Sequence, residues 1–143
     1  MKADHNTKSY GIILSAVLVS LTPITASADC TVPPDFSVSV APSVLWAPNH
    51  KYVTVNTTAI VSNGCSPTLS LVSVESNEPD NGLGDGDTNN DIVIIDDFTV
   101  DLRSERSGTG TGRIYTLTYQ ATDASGNTST AQANVVVPLN KSD

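Results

Sequence analysis

The residues with the clearest capacity for chemistry lie between Ser76 and Asp91, SNEPDNGLGDGDTNND, where acidic and amide side chains alternate with glycines and no apolar periodicity interrupts them. Within it, Asp85, Asp87, Asn89 and Asp91 fall at alternate positions, a D-x-D-x-N-x-D run with Asp96 at the twelfth place. Calcium takes six to eight hard oxygens from carboxylates, amides and carbonyls on a backbone that turns sharply, so Ca2+ is the expected cofactor of this loop. The run departs from an EF-hand, because Asn90 replaces the sixth-position glycine, Asp96 replaces the terminal glutamate, and the flanks read as strands. Glu78 and Asp123 are further candidate ligands, on the expectation that a sandwich brings the end of one strand and the DASGN turn (123–127) to a common rim. Asp123 has a plainer role open to it, accepting backbone N–H bonds within its own turn. Affinity by analogy with extracellular modules is on the order of 10⁻⁴ to 10⁻³ M.

A second charged group, Arg103, Glu105, Arg106 and Arg113, supplies guanidinium groups suited to bidentate pairing with carboxylates. Bracing of the acidic loop or of neighbouring strands is the plain reading. Arg103 and Arg106 are also candidates for contact with a ligand carboxylate or sugar, and Trp46 for packing or for stacking on a carbohydrate. His50 beside Asn49 reads as a hydrogen-bonding residue. No nucleophile elbow, HExxH motif or phosphate loop is present, so a catalytic role is not expected. A small secreted hydrolase using Glu75 and Glu78 as an acid pair would need a deep cleft, which one small sandwich rarely offers.

These groups must be held by strands. Phe36, Val38 and Val40 alternate with serines, and Tyr52 to Val61 is rich in β-branched residues, with a bulge or split expected near Thr57 and Thr58. Leu69 and Leu71, followed by Ser73 or Val74, begin a third strand that leads to Glu75 and Glu78. Ile92 to Ile95 and Phe98 to Leu102 give two more, with Asp96 and Asp97 at the turn between them. Arg113 to Thr122 carries Tyr115, Leu117, Tyr119 and Ala121 on one face, and Thr128 to Leu139 is the last strand. About seven short strands separated by Gly, Pro and Asn predict an all-β antiparallel sandwich.

Residues 1–28 carry the marks of a secretory signal peptide: Lys2 and Lys8, an apolar run from Gly11 to Leu21, and a small-residue site at Ala26 to Ala28. The run is short for a membrane span, and an uncleaved N-terminal anchor is the alternative. Residues 29–143 then form one domain, soluble and either secreted to the exterior or periplasmic. The formal charge of −8 becomes one unit more negative once Lys2, Lys8 and Asp4 leave with the signal. Such a surface repels nucleic acid and suits calcium or basic partners. Export places Cys30 and Cys65 in an oxidising compartment, where one disulfide between them is expected. It would close a long loop and stabilise by roughly 3 to 4 kcal/mol. A zinc site is the weaker reading, since no CxxC spacing or histidine pair accompanies the two thiols.

LWAPNHKYVTV, SNEPDNGLGDGDTNND, LRSERSGTGTGRIYTLTY and TDASGN, in that order, resemble an immunoglobulin-like bacterial extracellular module related to HYR and PKD domains. The resemblance covers nearly all of 29–143. Ala47 stands where a second proline is usual, Ser104 where alanine is, and Ala121 where some members carry a cysteine, which leaves Cys30 as the intramolecular partner of Cys65. The resemblance implies an immunoglobulin-like fold and a non-catalytic module for binding or adhesion at a cell surface, with a glycan or protein partner. The alternative is a structural spacer that calcium makes rigid.

Overall fold

The computed structural model describes residues 30–63, 66–82 and 88–141. Seven strands follow in chain order: β1 Phe36–Ala41, β2 Tyr52–Val61, β3 Thr68–Ser76, β4 Ile92–Asp96, β5 Thr99–Arg103, β6 Arg113–Thr122 and β7 Thr128–Val137. They form two antiparallel sheets, β1-β2-β5-β4 and β3-β6-β7, and no helix occurs among the described residues. The chain is an all-β sandwich. The signal-peptide reading falls on residues outside the described ones.

The period-2 alternation decides which side chains meet between the sheets. In β6, Tyr115, Leu117, Tyr119 and Ala121 are fully buried while the residues between them are not. Tyr115, Leu117 and Tyr119 pack with Val55, Val100 and Leu102 of the other sheet, Val135 and Val137 of β7, and Leu45 from the β1–β2 connection. Leu45 is held there because its N–H donates to Val136 O at 2.8 Å, a short parallel bridge that laces the connection to β7.

The bulge expected near Thr57 and Thr58 is absent. β2 pairs in unbroken register with β1 from Asn56 to Val61 and with β5 from Tyr52 to Asn56. Polar Thr57 keeps the inward phase because its hydroxyl accepts from Tyr119 Oη at 2.8 Å, which satisfies both groups inside the sandwich. Register shifts occur instead in β3, between Leu71 and Ser73, and in β4, between Ile94 and Asp96. The first places Val72 in solvent and returns Val74 to the core-facing side.

Candidate functional site

One rim of the sandwich gathers the start of β6, the ends of β3, β5 and β7, and the starts of β2 and β4, because neighbouring strands run antiparallel. Arg113, first residue of β6, is fully buried there. Its guanidinium donates to Asp91 Oδ2, to Tyr115 Oη at 3.1 Å, to Pro79 O at 3.0 Å and to Glu78 Oε2 at 3.4 Å. Pro79 and Glu78 lie at the start of the acidic loop and Asp91 at its end, so one side chain of a rigid strand holds both ends. A buried cation is tolerated only where its charge and its donors are both matched, and this one meets both conditions.

Asp80 closes the same loop from within. Its carboxylate accepts the N–H of Asp91 at 2.8 Å and of Asn90 at 3.1 Å. Those two backbone donors, Asp91 first, hold its pKa below the ordinary carboxylate value. Arg103, at the end of β5, donates to Asn89 O at 3.0 Å, His50 O at 2.9 Å and Tyr52 Oη at 2.8 Å, and stacks over the Tyr52 ring at 4.2 Å. Its Nε lies 3.3 Å from Asp91 Oδ1. Tyr52 Oη itself donates to Asn90 O.

Glu105 is the hidden centre of the rim. It is fully buried, accepts from Thr88 Oγ1, and lies 3.1 Å from His50 Nδ1 and 3.9 Å from Arg113 Nη1. Asp91 is 3% exposed, and burial pushes its pKa up to about 6; the Arg113 guanidinium opposes this and the Glu105 carboxylate reinforces it. For Arg113 burial works against the charge, but the hydrogen bonds with Tyr115 and Asp91 outweigh it and keep the proton bound more firmly than usual. The Tyr115 hydroxyl, pushed up by burial to about 12, stays a neutral donor to Arg103 O at 2.8 Å.

The predicted ligand set therefore divides. Asp85 and Asp87 lie outside the described residues. Asn89 is exposed, and its carbonyl is taken by Arg103. Asp91 turns inward to two guanidinium groups, and Glu78 Oε2 accepts from Arg113 and from Ser107 N at 2.7 Å. Those two carboxylates are committed to protein partners and do not fit a cation site as they stand. Asp96 Oδ1 accepts Phe98 N at 2.8 Å in its own turn. Among the described residues no group of three or more His, Cys, Asp or Glu side chains is arranged to hold a metal ion.

Asp123 needs a correction. The loop leaves the end of β3, which lies beside the start of β6, whereas Asp123 follows the end of β6. The ten residues of that strand, at about 3.3 Å each, put roughly 30 Å between the two turns. Asp123 instead organises DASGN: its carboxylate accepts Ser125 N and Asn127 N at 2.9 Å and Asn127 Nδ2 at 3.0 Å. The Asn127 side chain, then the backbone donors, lower its pKa. Asn127 Nδ2 also donates to Cys30 O at 2.7 Å, fastening the first described residue to this far rim. Cys30 is buried and disulfide-bonded, and Cys65 lies outside the described residues.

The two arginines proposed for ligand contact both have internal work. Arg106 grips the segment after β7 through Pro138 O and Leu139 O, each at 3.2 Å. Trp46 remains 45% exposed, on the connection whose Ala47 O accepts from Ser104 Oγ at 3.0 Å. That bond sets the indole on the same rim as Glu105. Glu75 is exposed while Glu78 is tied to Arg113 and Ser107, so they share no partner. Asp80, Tyr52 and Tyr115 also build this site, and the sequence signal for the last is Arg113 and Tyr115 at alternate positions on one face of a strand. No family model, curated protein or solved structure matches the chain.

Proposed function

We propose that this chain is an exported, non-catalytic, immunoglobulin-like binding module related to HYR and PKD domains, periplasmic or extracellular, whose acidic loop takes Ca2+ and presents a rim to a surface glycan or protein. The observation that carries the reading is the double anchoring of the loop. Arg113 and Asp80 fix residues 78–80 and 90–91 to the sheets. Between those anchors the sequence carries Asp85, Asp87 and Asn89 at alternate positions, and two carboxylates so close along the chain, beside an amide oxygen, favour a cation. The calcium set narrows to these three, with backbone carbonyls and water completing it.

The immunoglobulin-like assignment is supported by strand order. Reading β1 to β7 as A to G, the sheets are ABED and CFG, the order of constant-type immunoglobulin domains. Tyr115, near the start of the sixth strand, donates its hydroxyl to an upstream carbonyl, as a tyrosine corner does. With Cys30 disulfide-bonded and Cys65 the other cysteine of the sequence, the bond between them belongs to the same proposal. Exposed Trp46 favours ligand binding over a spacer role, because an indole left on a polar rim is a ready stacking surface.

The test is to present labelled 29–143 protein to immobilised polysaccharides and whole cells, with calcium and with EDTA. Saturable binding that falls on chelation and with Trp46→Ala is expected. Binding unaffected by either would refute this rim as the site, and no binding beside a clear calcium response would favour the spacer.

A further inference from the structure

The β1–β2 connection is pinned to a single residue of the opposite segment, Ser104. The Ser104 carbonyl accepts the N–H of Asn49 at 2.8 Å and of His50 at 3.0 Å, its own N–H donates to Lys51 O at 2.8 Å, and its hydroxyl donates to Ala47 O at 3.0 Å. Ala47 and His50 therefore meet at one residue, and exposed Trp46 immediately precedes the first of them. His50 is held there at a φ of 61°, left-handed backbone that glycine or asparagine adopts far more readily than histidine. A histidine kept in so costly a conformation points to a use for its side chain.

The side chain of His50 is 52% exposed, yet its Nδ1 lies 3.1 Å from Oε2 of Glu105, whose side chain is wholly buried. Thr88 Oγ1 donates to the same oxygen, and Arg103 Nε and Arg113 Nη1 each lie 3.9 Å from the carboxylate. A carboxylate faced by donors on every side accepts, so the neutral imidazole carries its proton on Nδ1 and its lone pair on Nε2. With Nδ1 taken inside, Nε2 is the polar atom that His50 offers to a ligand. An uncharged acceptor on the same short connection as an exposed indole suits a ring with hydroxyl donors on its edge and C–H groups on its face. That ring is a saccharide. The charge of −8 opposes an acidic one, and the Glu105 carboxylate is spent inside, where a basic one cannot reach it.

We propose that Trp46 and His50 together bind a neutral saccharide ring, the indole stacking on its C–H face and His50 Nε2 accepting one of its hydroxyls, with Glu105 as the positioning residue that fixes the imidazole. This rests on the reading of the Trp46 rim as a glycan-binding surface, and it does not depend on calcium in the loop.

Nitrogen-15 correlation spectra of the 29–143 protein at mildly alkaline pH report the tautomer of His50, and the Nδ1–H form is expected. Methyl glycosides of glucose, galactose, mannose and N-acetylglucosamine are then added singly, at tens of millimolar. At least one should shift the Trp46 indole N–H and the His50 Cε1–H resonances along a single binding curve. His50→Asn places a residue suited to left-handed backbone at that position. It should weaken binding of the same sugar, read at the Trp46 indole, by about fivefold, as loss of one hydrogen bond does. An Nε2–H tautomer, a shift of Trp46 without His50, or affinity unchanged in His50→Asn would each overturn the inference and leave the glycan reading standing. No response of either residue to any of the four sugars would overturn it as well, whereas the glycan reading fails only if polysaccharides and cells go unbound.

Discussion

Arg113 and Asp91, 22 residues apart in sequence, form a buried ion pair that joins the first residue of β6 to the last residue of the acidic loop. The pair turns a polar, glycine-rich segment into an extension of the sheet, because neither partner can leave without stranding a charge in the interior.

Arg113→Ala should therefore destabilise by about 3 to 5 kcal/mol, the usual cost of removing one partner of a buried pair. Asp91 and Glu105 would be left facing each other without that cation. Adding Asp91→Asn to Arg113→Ala should cost less than the sum of the two single changes. Urea unfolding of the four proteins in the cycle measures this, and strict additivity would show that the pair is not coupled.

Acid should stabilise this rim before it harms the rest. Asp91 faces Arg113, Arg103, Glu105 and Asp80, and its folded pKa of about 6 lies above the ordinary 3.8. The folded state thus binds the proton more tightly, so stability rises as pH falls through 6 and is lost as pH rises through it. Asp80 and Asp123, with lowered values, act in the opposite sense: their contributions are full above the ordinary 3.8 and are lost as pH falls through the lowered values. The thermal midpoint in calcium-free buffer should be higher at about pH 5 than at about pH 7.5. Asp91→Asn should remove most of that difference.

Asp123→Ala should lower the thermal midpoint by loosening the DASGN turn and the Asn127 bond to Cys30 O, since three donors lose their acceptor. It should leave any calcium response unchanged, because the turn lies a strand's length from the acidic loop. A calcium response that disappears in this variant would contradict the placement.

The strands were legible because alternation is a local signal: β2 and β6 have the bounds that β-branched and aromatic periodicity predicts. Even the shift in β3 left a trace, since Leu69, Leu71 and Val74 break step at Val72. The site was read less well. Composition marks the acidic loop, but which rim a turn occupies depends on strand direction and pairing, and so the sequence alone sets Asp123 on the wrong side. Nor does spacing distinguish Asp91, turned inward to two guanidinium groups, from carboxylates two residues apart in the same motif. Glu105 reads as a brace in sequence and is fully buried, because burial of a charge is decided by partners from β5, β6, the acidic loop and the β1–β2 connection.

The most direct test is a calcium titration of the 29–143 protein by calorimetry, paired with thermal unfolding. Binding on the order of 10⁻⁴ to 10⁻³ M with a raised midpoint is expected, abolished by Asp85→Ala with Asp87→Ala and retained in Asp123→Ala. No heat and no stabilisation in the parent protein at millimolar calcium would contradict the account of the loop.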